Sequence, residues 1–397
     1  MMNIKISGSE ETKVEPNVDF FSPTEVLFDN IRKGREGGNW GLNIGMNKLQ
    51  QLTSGLTPRT YYVIFGPSGS GKTTFTLYTH VFIPLYENIN PKLIIVYYSL
   101  EMSADVLYGK LLSMYVQTKT GIEISLKEML SIDRGYKLND KLYNILLEAK
   151  AWLKEIESRF IIYDRPLTPS AFDKHSHSVF SRFGKFKVEG TRQIYIPDDP
   201  ERLIVGVLDH YGLIRHQGSL KLAIDEISST AVRYRNMCNG SFIGVAQVNR
   251  KMTSMERRNS EHKEPERSDL KDSGNIEQDC DVMMAIYDPN REKLMEWRNY
   301  DVDKLRDTIR GVILLKNRYG LGDKAIGCAF YGRSGIWREL PKGSEINDYR
   351  YYQTVNGIEA LDTSELRDIA NNLSENIAST QENSEEDKKK SFNFTMQ

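Results

Sequence analysis

Runs of consecutive apolar residues, each closed by a polar turn, recur through the middle of this chain and mark buried strands. They are Tyr61–Phe65, Lys92–Leu100, Phe160–Asp164, Leu203–Asp209, Ser241–Gln247, Asp281–Tyr287, Gly311–Leu315 and Ala325–Phe330. Residues 104–158 read as helices, and Thr168-Pro169-Ser170 caps a further one. Strict alternation is confined to Phe180–Lys187 and Gln193–Ile196, on either side of Glu189-Gly190, which predicts a hairpin within an insertion spanning about 180–200. Near the start, Ser22-Pro23-Thr24-Glu25 makes a capping box before Val26, Leu27, Phe28 and Ile31, a short helix that stops near Gly34. Such a helix is marginal alone and must dock elsewhere. The flanks, residues 1–19 and those beyond about 360, are polar and read as disordered.

The first strand runs into Gly66-Pro67-Ser68-Gly69-Ser70-Gly71-Lys72-Thr73, and Thr74 opens a helix. Strand, glycine loop and helix are the context that turns G-x-x-x-x-G-K-[ST] into a phosphate-binding P-loop. The glycines let backbone N–H groups converge on phosphate, Lys72 reaches the β- and γ-phosphates of a nucleotide, and the Thr73 hydroxyl ligates Mg²⁺. Asp209, at the tip of an apolar strand, has the form of the acid that supports that metal. Glu101, at the tip of another strand, is placed to orient a water molecule. Gln247, ending a third, is placed to sense the γ-phosphate. A polar stretch, residues 251–275, carries Lys251, Arg257, Arg258, Lys263, Arg267 and Lys271 among acids, and a loop of that length has a functional or disordered character.

With 397 residues, 39% apolar and 27% charged, the chain can bury a substantial core. No apolar run approaches a membrane span, and the N-terminus has no signal-peptide pattern, so a cytoplasmic protein is expected. Cys238, Cys280 and Cys328 stand singly, which excludes a disulfide framework and suits a reducing compartment. His175 and His177 form only a weak metal signal. The net charge of −1 gives no overall steering toward nucleic acid, so basic groups must cluster locally.

Ser99-Leu100-Glu101-Met102, Gln247-Val248-Asn249-Arg250, Ser268-Asp269-Leu270-Lys271-Asp272-Ser273-Gly274 and Lys316-Asn317-Arg318, in that order after the P-loop, resemble the motifs of DnaB-type replicative helicases, a family that phages also encode. The entry segment Gly41–Leu49 is similar as well. The resemblance covers roughly residues 40–340 and implies an α/β fold. That fold is a RecA-like P-loop core with a mostly parallel central sheet flanked by helices and a C-terminal β-hairpin region. It implies a hexameric ring of identical subunits, ATP and Mg²⁺ between them, single-stranded DNA in the pore, and duplex unwinding. Glu101 is then the catalytic base, and Lys316 and Arg318 are fingers reaching a neighbour's site. Arg250, Asp272 and Gly274 contact the DNA backbone, with Lys271, Arg215 and Lys221 as further candidates. Only about forty residues precede the core, so the expected form lacks the N-terminal primase-binding domain and leaves primase, loader and single-strand-binding partners open. The expected organisation is a linker helix within 1–38, an ATPase domain over 39–345 and a polar tail over 346–397. A recombinase-like ATPase without unwinding, or a small-molecule kinase, would share the P-loop. The serine–glycine signature argues against the first, and the Lys-x-Arg finger argues against the second.

Overall fold

The computed structural model describes residues 23–38, 41–87, 92–132, 137–249, 252, 257, 263–270 and 274–356. The chain divides into two units, Met1–Trp40 and Gly41–Gln397. In the first, helix α1 (Pro23–Arg35) exposes Leu27, Phe28 and Ile31 and carries Arg32, Lys33 and Arg35 in its last turn, where cations suit the helix dipole. Ser22, the expected cap, lies outside the described residues.

The second unit is built on a nine-stranded sheet. Its first three strands are β1 (Tyr61–Gly66), β2 (Leu93–Ser99) and β3 (Phe160–Tyr163). A separate hairpin follows, β4 (Gly184–Glu189) and β5 (Arg192–Pro197). Then come β6 (Leu203–Asp209), β7 (Ser241–Gln247) and β8 (Val282–Tyr287). A two-residue ribbon, β9 (Glu296–Trp297) and β10 (Tyr300–Asp301), precedes β11 (Ile309–Asn317), β12 (Lys324–Tyr331) and β13 (Ile336–Glu339). The spatial order is β13-β12-β11-β8-β1-β7-β6-β2-β3, with β1 at the centre. From β8 to β3 every pairing is parallel, and β11 to β13 extend the sheet antiparallel. All residues of β1, β2, β6 and β8 are buried, which is why these strands read as unbroken apolar runs.

The early helices are α2 (Asn47–Thr53), α3 (Lys72–Leu77) and α4 (Ile83–Glu87), the last two joined by a π-helical turn over Tyr78–Phe82. After them come α5 (Ala104–Thr120), α6 (Leu126–Met129), α7 (Asp140–Ile156), α8 (Pro169–Ser181) and α9 (Leu220–Cys238). The set closes with α10 (Gly274–Asp279), α11 (Val302–Leu305) and α12 (Asp348–Val355). The expected cap of α8 is present, with Thr168 accepting from the Ala171 N–H and Pro169 in the first turn. Helix α2 was not legible in the glycine-rich approach to β1. Helix α12 carries the fold past the boundary expected at 345: Tyr351 is buried, its hydroxyl accepts from the Asp301 N–H at 2.9 Å, and Tyr331 donates to Thr354 O at 3.1 Å.

The hairpin turns at Gly190 (φ +58°) and Thr191, as the register of Glu189 with Arg192 requires. Phe180 and Ser181, expected in its first strand, belong instead to α8. Phe186 packs on Tyr195 and on the His177 ring, and Phe180 stacks on Tyr234 of α9. His175 turns away to the Tyr98 hydroxyl at 3.2 Å. The two histidines therefore serve packing, and no metal-ligand cluster occurs among the described residues.

His80, in the π-helical turn, sits against Tyr62 and bonds to the Thr79 hydroxyl at 2.6 Å. Burial lowers its pKa from 6.5 to about 3. The folded chain keeps it neutral while the unfolded chain takes up a proton below 6.5, so its stabilising contribution is present above that pH and is lost as pH falls. Urea unfolding of wild type should weaken on acidification by roughly 1.4 kcal/mol per pH unit from this group, and His80→Gln should show a correspondingly shallower acid limb. Identical limbs in the two proteins would refute the assignment.

Candidate nucleotide site

Register brings the predicted groups to one edge of the sheet. Gly66 pairs with Gln247 and Ser99 with Asp209, so the P-loop, the Glu101 turn, Asp209 and Gln247 all lie at strand carboxyl ends. That is where open α/β sheets bind ligands. Within the loop, Gly69 and Gly71 have φ of +77° and +99°, and a Cβ on Gly71 would stand 2.8 Å from the Trp337 ring. Glycine is required there on both counts. Ser70 is buried, and its hydroxyl has no hydrogen-bond partner among the described residues.

Lys72 is buried, and its ammonium donates to Pro67 O at 2.7 Å. Burial lowers its pKa to about 8, against the opposing pull of Asp209 and Glu101. Thr73 donates to Asp209 Oδ1 at 3.1 Å, and Tyr97 donates to Oδ2 at 2.8 Å. Burial raises the Asp209 pKa to about 6, despite these hydrogen bonds and Lys72. Thr74 occupies the first turn of α3. Glu101 is exposed, close enough for its charge to act on Lys72 and Asp209. Gln247 Nε2 lies 3.4 Å from His210 Nε2.

Lys316 and Arg318 are at the other edge. Arg318 Nη1 pairs with the buried Asp281 carboxylate at 2.8 Å, and its N–H donates to Asp281 O. Asp281 also holds Arg235 at 2.7 Å and accepts from the Tyr61 N–H, at the start of β1. Lys316 donates to Gln278 O at 3.1 Å and to Glu277 O. The whole of β1 separates this cluster from the chain's own P-loop, about 16 Å at the usual rise per residue.

The candidate DNA contacts are only partly described. Arg250, Lys271 and Asp272 lie outside the described residues, and Gly274 opens α10. Arg215 and Lys221 are exposed and make no ion pair among the described residues. Lys221 stands in the first turn of α9.

Motif reading missed several charged groups on the nucleotide edge. Arg310 is buried, donates to Ser70 O at 3.3 Å and pairs with Asp288 at 3.1 Å. Arg291 donates to Ser68 O. Lys110, on α5, is partly buried and feels Asp209 and Glu101, while burial lowers its pKa. The strand end at Tyr287, followed by Asp288-Pro289-Asn290, was the available signal, because turns at that edge face ligands.

The DnaB-like helicase C terminal domain family matches residues 41–170 and 190–333, passing over most of α8 and all of β4. The chain is 28% identical over 286 residues to a curated replicative DNA helicase DnaB of Mycoplasma genitalium, covering 72% of this chain and 53% of that one. It is 30% identical over 268 residues to the corresponding protein of Buchnera aphidicola, covering 66% and 49%. The chain thus spans about half the length of the curated relatives it matches. A solved ATPase domain superposes with TM-score 0.61 at 18% identity, covering 81% of this chain and 99% of that one. A solved DnaB-like replicative helicase, described with its interactions with primase, superposes with TM-score 0.58 at 20% identity, covering 81% and 67%. These two likenesses concern the fold.

Proposed function

The chain belongs to the DnaB-like helicase C terminal domain family, and from that premise we propose that it hydrolyses ATP to translocate on single-stranded DNA and unwind duplex as a homohexameric ring. The observation that carries this reading is the separation of the two half-sites. The P-loop and Asp209 occupy one end of the strands, and Arg318 occupies the other, so a complete site needs two chains.

The P-loop from Gly66 to Thr74 wraps the phosphates, and Lys72 exchanges Pro67 O for a phosphate oxygen. Thr73 Oγ1 and the Asp209 carboxylate are hard oxygen donors 3.1 Å apart, a set that suits Mg²⁺ held through few protein ligands plus phosphates. Mg²⁺ bound there would offset phosphate charge. Glu101 accepts a proton from the attacking water, and Gln247 reports the γ-phosphate toward the DNA loops. Lys316 and Arg318 complete the neighbour's site. Arg250, Lys271, Asp272, Gly274, Arg215 and Lys221 track the DNA backbone without reading sequence. Helix α1 docks on an adjacent copy through Leu27, Phe28 and Ile31. Primase is a partner to test, because a solved relative is described with it. Among the described residues no helix is long and apolar enough to cross a membrane.

ATP hydrolysis measured with and without single-stranded DNA, alongside strand displacement on a forked duplex, tests the reading. DNA-stimulated hydrolysis with displacement is expected. Hydrolysis without displacement would point to a recombinase-like ATPase, and no hydrolysis would overturn the proposal.

A further inference from the structure

A second arginine stands on the nucleotide edge itself. Arg291 lies in the turn after β8, exposed, with its guanidinium donating to Ser68 O at the tip of the P-loop. A Cβ on Gly69 would stand 3.3 Å from Arg291 Nη1. Its charge acts on Lys72, whose pKa it helps to lower. The turn that carries it is fixed to the loop from beneath. The Arg291 N–H donates to Asp288 Oδ1 at 3.1 Å, Asp288 Oδ2 pairs with Arg310, and Arg310 donates to Ser70 O. Asn290 donates to Asp307 at 2.7 Å on the flank. The backbone of Arg291 is therefore pinned, while its side chain is free to swing and rests on an oxygen acceptor at the rim of the phosphate cradle.

We propose that Arg291 is a phosphate ligand supplied by the same chain that binds the nucleotide. It exchanges Ser68 O for oxygens of the β- and γ-phosphates, acting beside the finger that the neighbouring subunit supplies. The proposal rests on the ATP-hydrolysing reading above. A guanidinium presents a planar fork of donors that matches phosphate oxygens in a bidentate way. Held over the loop tip, it needs only rotation of its own side chain to pass from a carbonyl to a phosphate oxygen. Arg310 has no such freedom, because burial, Asp288 and Ser70 O hold it as the brace.

The test uses the full-length chain carrying Arg291→Ala or Arg291→Lys. Affinities for ADP and for the non-hydrolysable analogue AMP-PNP are measured by fluorescence, and the rate of ATP hydrolysis is measured in parallel. Arg291→Ala should weaken AMP-PNP more than ADP and lower the hydrolysis rate by roughly tenfold to a hundredfold, the usual scale for one charge-assisted hydrogen bond. Arg291→Lys should recover part of the loss. Mixing Arg291→Ala with Lys72→Ala protein should restore nothing, since an intact Arg291 beside a dead P-loop serves no competent site. Equal weakening of both nucleotides together with a lower melting temperature would reduce Arg291 to a brace and overturn the proposal. Restored activity on mixing would place its action in a neighbouring chain and overturn it as well. If wild type hydrolyses no ATP, the functional reading fails, and the AMP-PNP to ADP ratio still decides the role of Arg291.

Discussion

Lys72→Ala will lose ATP hydrolysis by at least a factor on the order of 10²–10³, the loss expected when one preorganised donor to developing charge is removed. The loop retains backbone N–H groups for phosphate, but its one cation is gone. The ammonium is held ready beside Pro67 O in a buried position that lowers its pKa to about 8. Desolvation makes its charge costly without phosphate and correspondingly effective against it. The fold should survive, because alanine suits the first turn of α3 and the sheet is untouched. Circular dichroism and thermal melting check that point, and steady-state hydrolysis of ATP gives the result. Glu101→Gln makes the contrast: nucleotide affinity stays near wild type while turnover disappears, since an exposed carboxylate contributes to the reaction and little to binding. A Lys72→Ala chain that keeps a tenth of the wild-type rate would show that another group carries the phosphate charge.

Arg318→Ala will bind nucleotide and hydrolyse it poorly, with a loss of about 10³–10⁵, the range for arginine fingers in related phosphoryl transfers. Its isolated chain should fold normally. Asp281 keeps Arg235 and the Tyr61 N–H, so no buried carboxylate is left unpaired. In the wild type Nη1 pairs with Asp281 and Nη2 makes a long hydrogen bond to Gln278 O at 3.5 Å, so the fork exchanges these acceptors for phosphate oxygens when it serves as the finger. Arg318 is too far from its own P-loop to serve it, so Arg318→Ala mixed with Lys72→Ala should regain basal hydrolysis. The interfaces that join an intact P-loop to an intact finger supply that activity. Hydrolysis that stays near zero at every mixing ratio, with mixed assemblies confirmed by mass, would exclude action between chains.

The nucleotide edge was legible in the sequence because its members sit at fixed offsets from strand ends. Gly66–Thr73, Asp209 and Gln247 each terminate an apolar run, and parallel register alone brings those termini together. The hairpin was legible from alternation, although its first strand began later than the pattern suggested, because α8 continues through Ser181. What was not legible depends on pairing between distant segments. Asp281 reads as the first residue of a strand, and nothing local says that it will clamp Arg235 and Arg318. Arg291 and Arg310 lie outside any motif; Arg291 reaches Ser68 because β8 runs parallel beside β1, and Arg310 reaches Ser70 because β11 returns beside β8. Helix α2 is too short for a periodic signal. Helix α12 lies in a polar stretch, where Tyr351 is the main buried anchor.

Under the proposed action of Arg318 between chains, the placement of the two half-sites at opposite ends of the same strands makes each chain a head-to-tail building block. Such a contact is heterologous, and repeating it produces either a closed circle or an open filament. An open assembly always ends in one unused P-loop and one unused finger, so it carries one complete site fewer than it has chains. Closure removes both ends at once and gives every chain a working site. Activity per chain then reports closure directly: it falls on dilution, rises as assemblies lengthen, and reaches its ceiling only when the last copy meets the first.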